Sequence, residues 1–264
     1  MSDTPIKVPC SILAGGKAKP DMLALTGEEN RAMVVVQGKR LLDRVVEALQ
    51  GTAGISAIAV VGNVPPSPLY QQISDSGGFV ENVFASLEPA IDAPYLLIAT
   101  ADLPFLNPEN ITEFVDAALE IAKKTGATIL YPIVPVANCY ARYPNVKRTS
   151  LKIREGAFTG GNLMLVNPAS LKAQREKIAA AYAARKSPLR LALMLGVGTV
   201  FRLVLSQLLS PNLLTLPFLE ARVSRLLGAT ARAVVCNNPE IATDLDRPSD
   251  FEAVGLEPPR KGED

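Results

Sequence analysis

The stretch IKVPCSILAGGKAK, residues 6–19, decides the fold expected for this chain. Its apolar run ends at Leu13 and two glycines follow, which indicates a buried strand and then a glycine turn. Because glycine has no side chain, the backbone N–H groups of such a turn can approach a polyphosphate closely. The two lysines that follow, Lys17 and Lys19, would neutralise it. An ordinary strand-to-loop turn fits the same residues, so this stretch alone assigns no function.

Further strands and helices alternate along the chain from this first strand. The expected strands are Ile6–Leu13, Met33–Val36, Ile55–Val61, Tyr95–Ala99, Ala127–Val134, Leu163–Val166 and Ala231–Cys236. Apolar residues at helical spacing predict helices at Leu41–Leu49, Val80–Leu87 and after Asn107. This rhythm is typical of a three-layer α/β/α domain with a mostly parallel sheet, in which ligands bind at the carboxyl ends of the strands.

Composition excludes several classes of protein. The chain has 264 residues, of which 48% are hydrophobic and 20% charged, so it can bury a full core and is not disordered. It has no histidine, which excludes Ser-His-Asp and Cys-His catalysis and any His-ligated metal site. Its three cysteines, Cys10, Cys139 and Cys236, form no CxxC pair. With a polar N-terminus, this cysteine usage predicts a reducing, cytoplasmic location.

The charge is unevenly distributed, although the net charge is only +1 and argues against a nucleic-acid partner. Residues 172–232 contain ten basic and two acidic residues, and Leu191–Leu219 is largely apolar. We interpret residues 172–229 as a helical basic insertion in a single domain spanning residues 1–254. A face for anionic ligands or for peripheral membrane contact is a second interpretation. Polar and proline residues interrupt the apolar stretch and argue against a transmembrane helix. Residues 255–264 are expected to form a flexible tail.

Carboxylates follow two of the expected strands. Asp102 comes directly after Tyr95–Ala99 and precedes a proline, a position that suits a ligand of a hard divalent cation. Asp244 and Asp246 follow the last strand at positions i and i+2, so in an extended segment both side chains face one side. Asp102 could instead be a helix-entry or turn residue, and of Asp244 and Asp246 one could be a second metal ligand and the other a structural cap. Asp250 is expected to stabilise the first turn of the last helix.

Two other segments are candidates for ligand contact. Arg31 precedes the short strand Met33–Val36 and is either a surface arginine or a phosphate clamp. Gly160, Gly161 and Asn162 lead into the strand Leu163–Val166. Glycines there permit close approach of a ligand, or they mark a bulge or turn.

Taken together and in order, these segments resemble the MobA-like nucleotidyltransferases, whose fold is of the GT-A nucleotide-diphospho-sugar transferase type. The resemblance covers roughly residues 6–170 and 230–254. It rests on LAGG at 13–16, NRAMVVVQGKRLL at 30–42, GGFVENVFASL at 77–87, DLPFL at 102–106 and DLDRPSDF at 244–251. Two departures stand out. Arg31 occupies the position of the family's lysine, and residues 17–22 lack the family's Arg-hydrophobic-Gly step.

The resemblance implies a Rossmann-like enzyme that moves a nucleotidyl group from an NTP to a small anionic, phosphate-bearing acceptor and releases pyrophosphate, with Mg²⁺ as cofactor. CTP and GTP are both open as donors. The residues it implies are Lys17, Arg31 and Asp102 for catalysis; Leu13, Ala14, Gly15, Gly16, Lys17, Lys19, Gly78 and Asn82 for the nucleotide; Gly160, Gly161 and Asn162 for the acceptor; and Asp102, Asp244 and Asp246 for the metal.

Two other functions fit the same fold. A glycosyltransferase would use a nucleotide-sugar donor, but the chain has no D-x-D directly after the central strand, where Asp102 stands alone. A non-catalytic nucleotide-binding or membrane-peripheral regulator would account for the altered glycine loop and the basic insertion. The acceptor and the oligomeric state are not fixed by these patterns.

Overall fold

The fold is built on a central β-sheet. The computed structural model describes residues 7–184, 194, 196–259 and 261. Nine strands form this sheet. They are β1 Val8–Leu13, β4 Ile55–Val61, β5 Gln71–Ile73, β6 Leu96–Thr100, β7 Ile129–Pro135, β8 Leu151–Ile153, β9 Gly156–Gly160, β10 Leu163–Val166 and β11 Ala231–Val235. A separate hairpin contains β2 Val35–Val36 and β3 Lys39–Arg40.

The strand order is β5-β4-β1-β6-β10-β7-β9-β8, and β11 pairs with β7. β1 is parallel to both β4 and β6, and β11 is parallel to β7. Only β9 and β10, of the sheet strands described above, run against the common direction. The expected mostly parallel sheet is confirmed, and the carboxyl ends of β1, β4 and β6 lie at one edge.

Helices cover both faces of the sheet. The described helices are α1 Pro20–Thr26, α2 Leu41–Gln50, α3 Phe79–Leu87, α4 Pro108–Thr125, α5 Val136–Arg142, α6 Pro168–Ala173, α7 Arg175–Ala184, α8 Val197–Leu208, α9 Leu216–Leu227 and α10 Pro248–Ala253. The buried faces of α2 and α4 pack in one apolar cluster with β1, for example through Leu42 and Phe114. Val83 and Phe84 of α3 belong to a second cluster, against which Ile178 of α7 packs.

The expected strand Met33–Val36 is wrong in its first half. Residues Arg31–Met33 form a 3-10 turn because the side-chain oxygen of Asn30 accepts a hydrogen bond from the Ala32 N–H at 3.0 Å. Only Val35–Val36 is extended, and it pairs with Lys39–Arg40 through a turn at residues 37–38. Gln37 and Gly38 both have positive φ, as a two-residue type I′ hairpin requires.

The described part of the predicted insertion consists mainly of α7, α8 and α9. Residues 185–193 and 195, which carry several of its basic side chains, lie outside the described residues. Every helix in the described part of the chain is too short or too polar to cross a bilayer. In the tail, Leu256 packs near Phe251, and the Lys261 N–H donates to the Leu25 carbonyl at 3.0 Å.

One glycine fixes the distance between the ends of β1 and β4. A Cβ on Gly62 would stand 2.6 Å from the carbonyl carbon and oxygen of Ala14. The Ala14 backbone cannot easily yield, because its N–H donates to the Val61 carbonyl at 2.8 Å and its oxygen accepts from the Asn30 side chain at 2.9 Å. The sheet edge at the glycine turn is therefore held by backbone contact.

We expect Gly62→Ala to lower the free energy of unfolding by about 1–3 kcal/mol, since overpacking against backbone forces a shift. Urea denaturation followed by circular dichroism measures the change. Gly54→Ala is the matched control, because a Cβ on Gly54 meets no atom within 4 Å. Equal stability of the two variants would contradict the close approach.

Candidate active site

The carboxyl ends of the central strands surround a cavity of about 470 Å³. It is called the nucleotide cavity below, because it is lined by several of the residues that the sequence analysis expects to contact a nucleotide. Backbone bonds fix this edge: the Ala101 N–H donates to the Leu13 carbonyl at 3.2 Å, next to the end of β6. The cavity is lined by Leu13, Gly15, Gly16, Lys17, Arg31, Asn63, Asp75, Gly77, Gly78, Phe79, Asn82 and Thr100.

The glycine turn and the segment around Arg31 are joined by their backbones. The Arg31 N–H donates to the Gly16 carbonyl at 2.9 Å, and Lys17 forms a β-bridge with Asn30. The Asn30 amide donates to the carbonyls of Ala14 and Asn63 at 2.9 and 3.1 Å. These bonds place residues far apart in sequence along one wall of the nucleotide cavity.

Asn82 holds the loop that faces the glycine turn. Its buried side chain accepts from the Ser76 N–H at 2.7 Å and donates to Asp75 Oδ1 at 2.8 Å. The Asn82 hydrogen bond, and then the Gly77 N–H, lower the pKa of Asp75. A Cβ on Gly15 would stand 2.5 Å from the Asn82 amide nitrogen, so only glycine fits there unless the amide moves. The Asn82 amide thus holds the loop at Asp75 and Ser76 with both its oxygen and its nitrogen.

Three aspartates converge beside this cavity. One carboxylate oxygen from each of Asp102, Asp244 and Asp246 lies within 4.8 Å of the others. The Leu245 N–H donates to the Asp102 carbonyl at 3.2 Å, and the Leu245 side chain is fully buried with Phe251. Because Leu245 points into the core, Asp244 and Asp246 point the other way, as predicted for an extended segment.

Arg148 and Asp250 hold this segment. The sequence patterns did not single out Arg148, and they predicted for Asp250 only a role in the first turn of the last helix. Arg148 donates to the Ala242 carbonyl and, at 2.6 Å, to the Thr243 hydroxyl. Asp250 accepts from the N–H groups of Asp246 and Arg247 at 2.9 and 2.8 Å, which confirms its role in the first turn of α10. No local pattern marks Arg148, because its partners are more than ninety residues away.

Two cations stand among the carboxylates. The Arg31 guanidinium contacts Asp102 Oδ2 at 2.8 Å and also pairs with Asp246 Oδ1. The Lys19 ammonium lies 2.7 Å from Asp246 Oδ2. Asn162 approaches Asp244 Oδ1 with its amide nitrogen at 3.4 Å. The two cations therefore contact Asp102 and Asp246 directly, and neither forms an ion pair with Asp244 in the described residues.

The third carboxylate is less well compensated. Burial, and then the charge of Asp102, raise the pKa of Asp244. Asp102 is buried, and its Oδ1 has no hydrogen-bond donor. A buried carboxylate oxygen without a donor, beside two more carboxylates, matches the all-oxygen ligand set of a hard divalent cation. The residues present thus fit such an ion.

The structure brings most of the candidate residues to this edge. Leu13, Gly15, Gly16, Lys17, Gly78 and Asn82 line the nucleotide cavity, and Ala14 lines a crevice that it shares with Arg31 and Asp102. Lys19 stands outside that lining, against Asp246. Gly161 and Asn162 line a second cavity, whereas Gly160 does not line it. Sequence reasoning missed Asp75, whose signal is the polar DSGG turn before α3.

The family comparison follows from the same segments. Residues 10–152 match the model of the MobA-like NTP transferase domain. The chain belongs to the MobA-like NTP transferase family. This enzyme is accordingly a nucleotidyltransferase, which decides against the glycosyltransferase and the non-catalytic regulator. The matched range includes the glycine turn, Arg31 and Asp102, while Asp244 and Asp246 lie beyond it.

Solved structures similar to this nucleotidyltransferase extend the comparison over the whole fold. A hypothetical transferase from Thermus thermophilus is 34% identical, covers 93% of this chain and 100% of its own, and has a TM-score of 0.81. A 4-diphosphocytidyl-2C-methyl-D-erythritol synthase from Anaerococcus prevotii is 12% identical, covers 95% of this chain and 96% of its own, and has a TM-score of 0.56.

A CMP:2-keto-3-deoxy-manno-octonic acid synthetase, solved in complex with CTP, is 11% identical, with coverages of 94% and 96% and a TM-score of 0.51. These two distant likenesses concern the fold alone. No curated protein matches the sequence. The family and the fold therefore agree.

The raised pKa of Asp244 predicts a pH-dependent stability. The pKa of Asp244 is higher in the folded chain than in the unfolded chain, where it is about 3.9. The neutral Asp244 carboxyl therefore stabilises the fold fully below the unfolded pKa, and this stabilisation is lost as pH rises through the folded pKa. In EDTA, we therefore expect Asp244→Asn to unfold at a higher urea concentration than the native chain at pH 7. The gap should close as pH falls below about 4.

Asp116→Asn, on the exposed face of α4, is the control for the removal of one negative charge. Urea titrations at several pH values measure both variants. A native chain that is more stable than Asp244→Asn at pH 7 in EDTA would contradict the raised pKa of Asp244.

Proposed function

We propose that this nucleotidyltransferase uses Mg²⁺ to transfer a nucleotidyl group from an NTP to a small phosphate-bearing acceptor, with release of pyrophosphate. The observation that carries the proposal is the convergence of Asp102, Asp244 and Asp246 beside the glycine-lined cavity. These carboxylates would hold the ion, and the glycine turn would receive the triphosphate through backbone N–H groups. When bound, Mg²⁺ neutralises negative charge on the reacting phosphates.

The reaction joins two anions and needs no strong base. An oxygen of the acceptor phosphate attacks the α-phosphorus, a new P–O bond forms, and the bond between the α- and β-phosphates breaks. The electron pair of that bond leaves on pyrophosphate. Because the phosphate oxygen is already anionic at neutral pH, the absence of histidine from the chain is no obstacle. Positioning and charge neutralisation then supply the rate enhancement.

The cations near the carboxylates have separate parts in this reaction. Lys17 and Arg31 line the nucleotide cavity and would stabilise charge on the triphosphate. Arg31 also bridges Asp102 and Asp246, so it orients the two carboxylates. Lys19 pairs with Asp246 at 2.7 Å and limits repulsion within the cluster. Arginine at position 31 keeps the positive charge and presents a fork that suits both carboxylate and phosphate oxygens.

CTP and GTP are the proposed donors, and the CTP complex of the distant synthetase is consistent with the first of them. A thermal-shift panel of the four NTPs, with and without Mg²⁺, separates the candidates. A nucleotide at one hundred times its Kd stabilises the fold by about 2.7 kcal/mol. We also propose a reducing, cytoplasmic location, which the three free, buried cysteines support.

We expect Asp102→Asn to lower the rate of pyrophosphate release by at least about a hundredfold, because one charged metal ligand is lost. The variant should also lose the Mg²⁺-dependent part of the nucleotide thermal shift. Asp116→Asn, a remote exposed aspartate, is the control for charge removal. Unchanged turnover in Asp102→Asn would remove the metal assignment, and release of a nucleoside diphosphate in place of pyrophosphate would remove the reaction.

We also propose that the insertion contacts an anionic membrane surface. Phe201, Val204 and Leu208 lie on one face of α8 and are 65%, 48% and 75% exposed. Lys152 on the adjacent strand β8 and Arg154 in the turn after that strand are exposed, and Gln207 of α8 donates to the Lys152 carbonyl. An apolar helix face flanked by cations suits the boundary between lipid headgroups and acyl chains.

In co-sedimentation, the native protein should pellet with vesicles containing 30% phosphatidylserine and much less with phosphatidylcholine alone. We expect Phe201→Glu with Leu208→Glu to reduce the bound fraction several-fold. Leu69→Glu, a remote leucine that is 49% exposed, is the control. Equal binding of the double variant would refute the contact. A native dimer in size-exclusion chromatography that the double variant dissociates would assign the face to a second copy instead.

A further inference from the structure

A second cavity, of about 190 Å³, lies beside the nucleotide cavity and is called the apolar cavity below. It shares Leu13, Phe79 and Thr100 with the nucleotide cavity. Asn162 also lines it, and the amide of that residue reaches Asp244 at 3.4 Å. The apolar cavity therefore adjoins both the proposed triphosphate position and the carboxylates, where an acceptor would have to sit.

The walls of the apolar cavity are chemically unlike those of its neighbour. Its side chains are chiefly those of Phe79, Val83, Ile98, Tyr131, Leu163 and Met164, and no charged residue is among those that line it in the described chain. The nucleotide cavity, in contrast, contains Lys17, Arg31 and Asp75. The side-chain polar groups of the lining are the Thr100 and Tyr131 hydroxyls and the Asn162 amide. A charged group, or one with several hydroxyls, would lose more hydration in the apolar cavity than these three groups can replace, which costs free energy.

The cavity walls are also well fixed. Phe79 stacks on Tyr182 of α7 with ring centroids 4.9 Å apart and an angle of 13° between the rings. Gly161 lies so close to Ile241 and Pro132 that a Cβ there would stand within 2.9 Å of each. An engineered apolar cavity of about 150 Å³ in another protein holds benzene, so this volume suits a ring or a short branched chain.

We propose that the acceptor is a phosphate monoester whose organic part is apolar or aromatic and occupies the apolar cavity. This inference rests on the proposed function for the position of the acceptor phosphate. The phosphate would lie toward the carboxylates, on the Asn162 side, and the apolar group would lie against Met164 and Phe79. Burial of apolar surface would then select this acceptor over sugar phosphates of similar size.

Binding can be tested without turnover by labelling the methionine methyl groups with ¹³C. We expect n-hexyl phosphate to shift the Met164 methyl resonance saturably, and glycerol 3-phosphate to leave it unchanged. Met164→Leu assigns the signal. The methyl group of Met22, buried in a separate cluster, and that of Met194, which is 39% exposed, report unspecific effects. No shift with hexyl phosphate, or an equal shift with glycerol 3-phosphate, would overturn the proposal.

Turnover tests the acceptor role itself. With an NTP and Mg²⁺, pyrophosphate release should have a kcat/KM at least tenfold higher for hexyl or phenyl phosphate than for glycerol 3-phosphate. Met164→Glu should lower kcat/KM for the apolar phosphates by at least tenfold while the nucleotide thermal shift is kept. Val235→Glu, at an exposed position on β11, is the control for an added charge.

The outcomes separate the two proposals. Pyrophosphate release with glycerol 3-phosphate but not with hexyl phosphate would leave the reaction standing and overturn the apolar acceptor. Hexyl phosphate that shifts Met164 but is never converted, while another phosphate is, would also overturn the acceptor role. No nucleotide shift and no pyrophosphate with any acceptor would refute the proposed function, and the methyl titration would still decide what the cavity binds.

Discussion

Repulsion among three carboxylates is the constraint on which the rest of the site depends. Asp102, Asp244 and Asp246 come from two distant parts of the chain and meet within 4.8 Å, which is unfavourable unless cations or a metal ion compensate. Arg31 and Lys19 supply charge on the side of Asp102 and Asp246. The backbone also holds the carboxylates together, because the Leu245 N–H donates a hydrogen bond to the Asp102 carbonyl and the Leu245 side chain is buried.

Arg31 connects this electrostatic balance to the nucleotide cavity. Its backbone N–H is bound to Gly16, and its guanidinium is bound to Asp102, so one residue spans from the glycine turn to the carboxylates. The 3-10 turn capped by Asn30 sets the direction in which Arg31 leaves the backbone. The predicted strand Met33–Val36 overlaps this turn only at Met33, so the prediction left Arg31 outside the strand but did not foresee the turn that holds it.

Patterns local in sequence predicted the strands and helices that form the core, because periodic apolar residues at β1, β4, β6 and α2 reflect burial directly. They did not predict α1, β5, β8 or β9, which are short or depend on partners elsewhere in the chain. At the site, the resemblance marked the aspartates and the glycine turn. It left out Asp75 and Arg148, whose roles arise only from hydrogen bonds that form after folding.

The stacking of Phe79 on Tyr182 joins the first helix of the insertion to the wall shared by both cavities. The carboxylates, in contrast, are fixed by the end of β6 and by the segment that follows β11. Selection on the insertion can therefore alter which molecules the enzyme accepts without disturbing the groups that perform the reaction. In such an arrangement, new specificities can evolve on one helix while the chemistry is inherited unchanged.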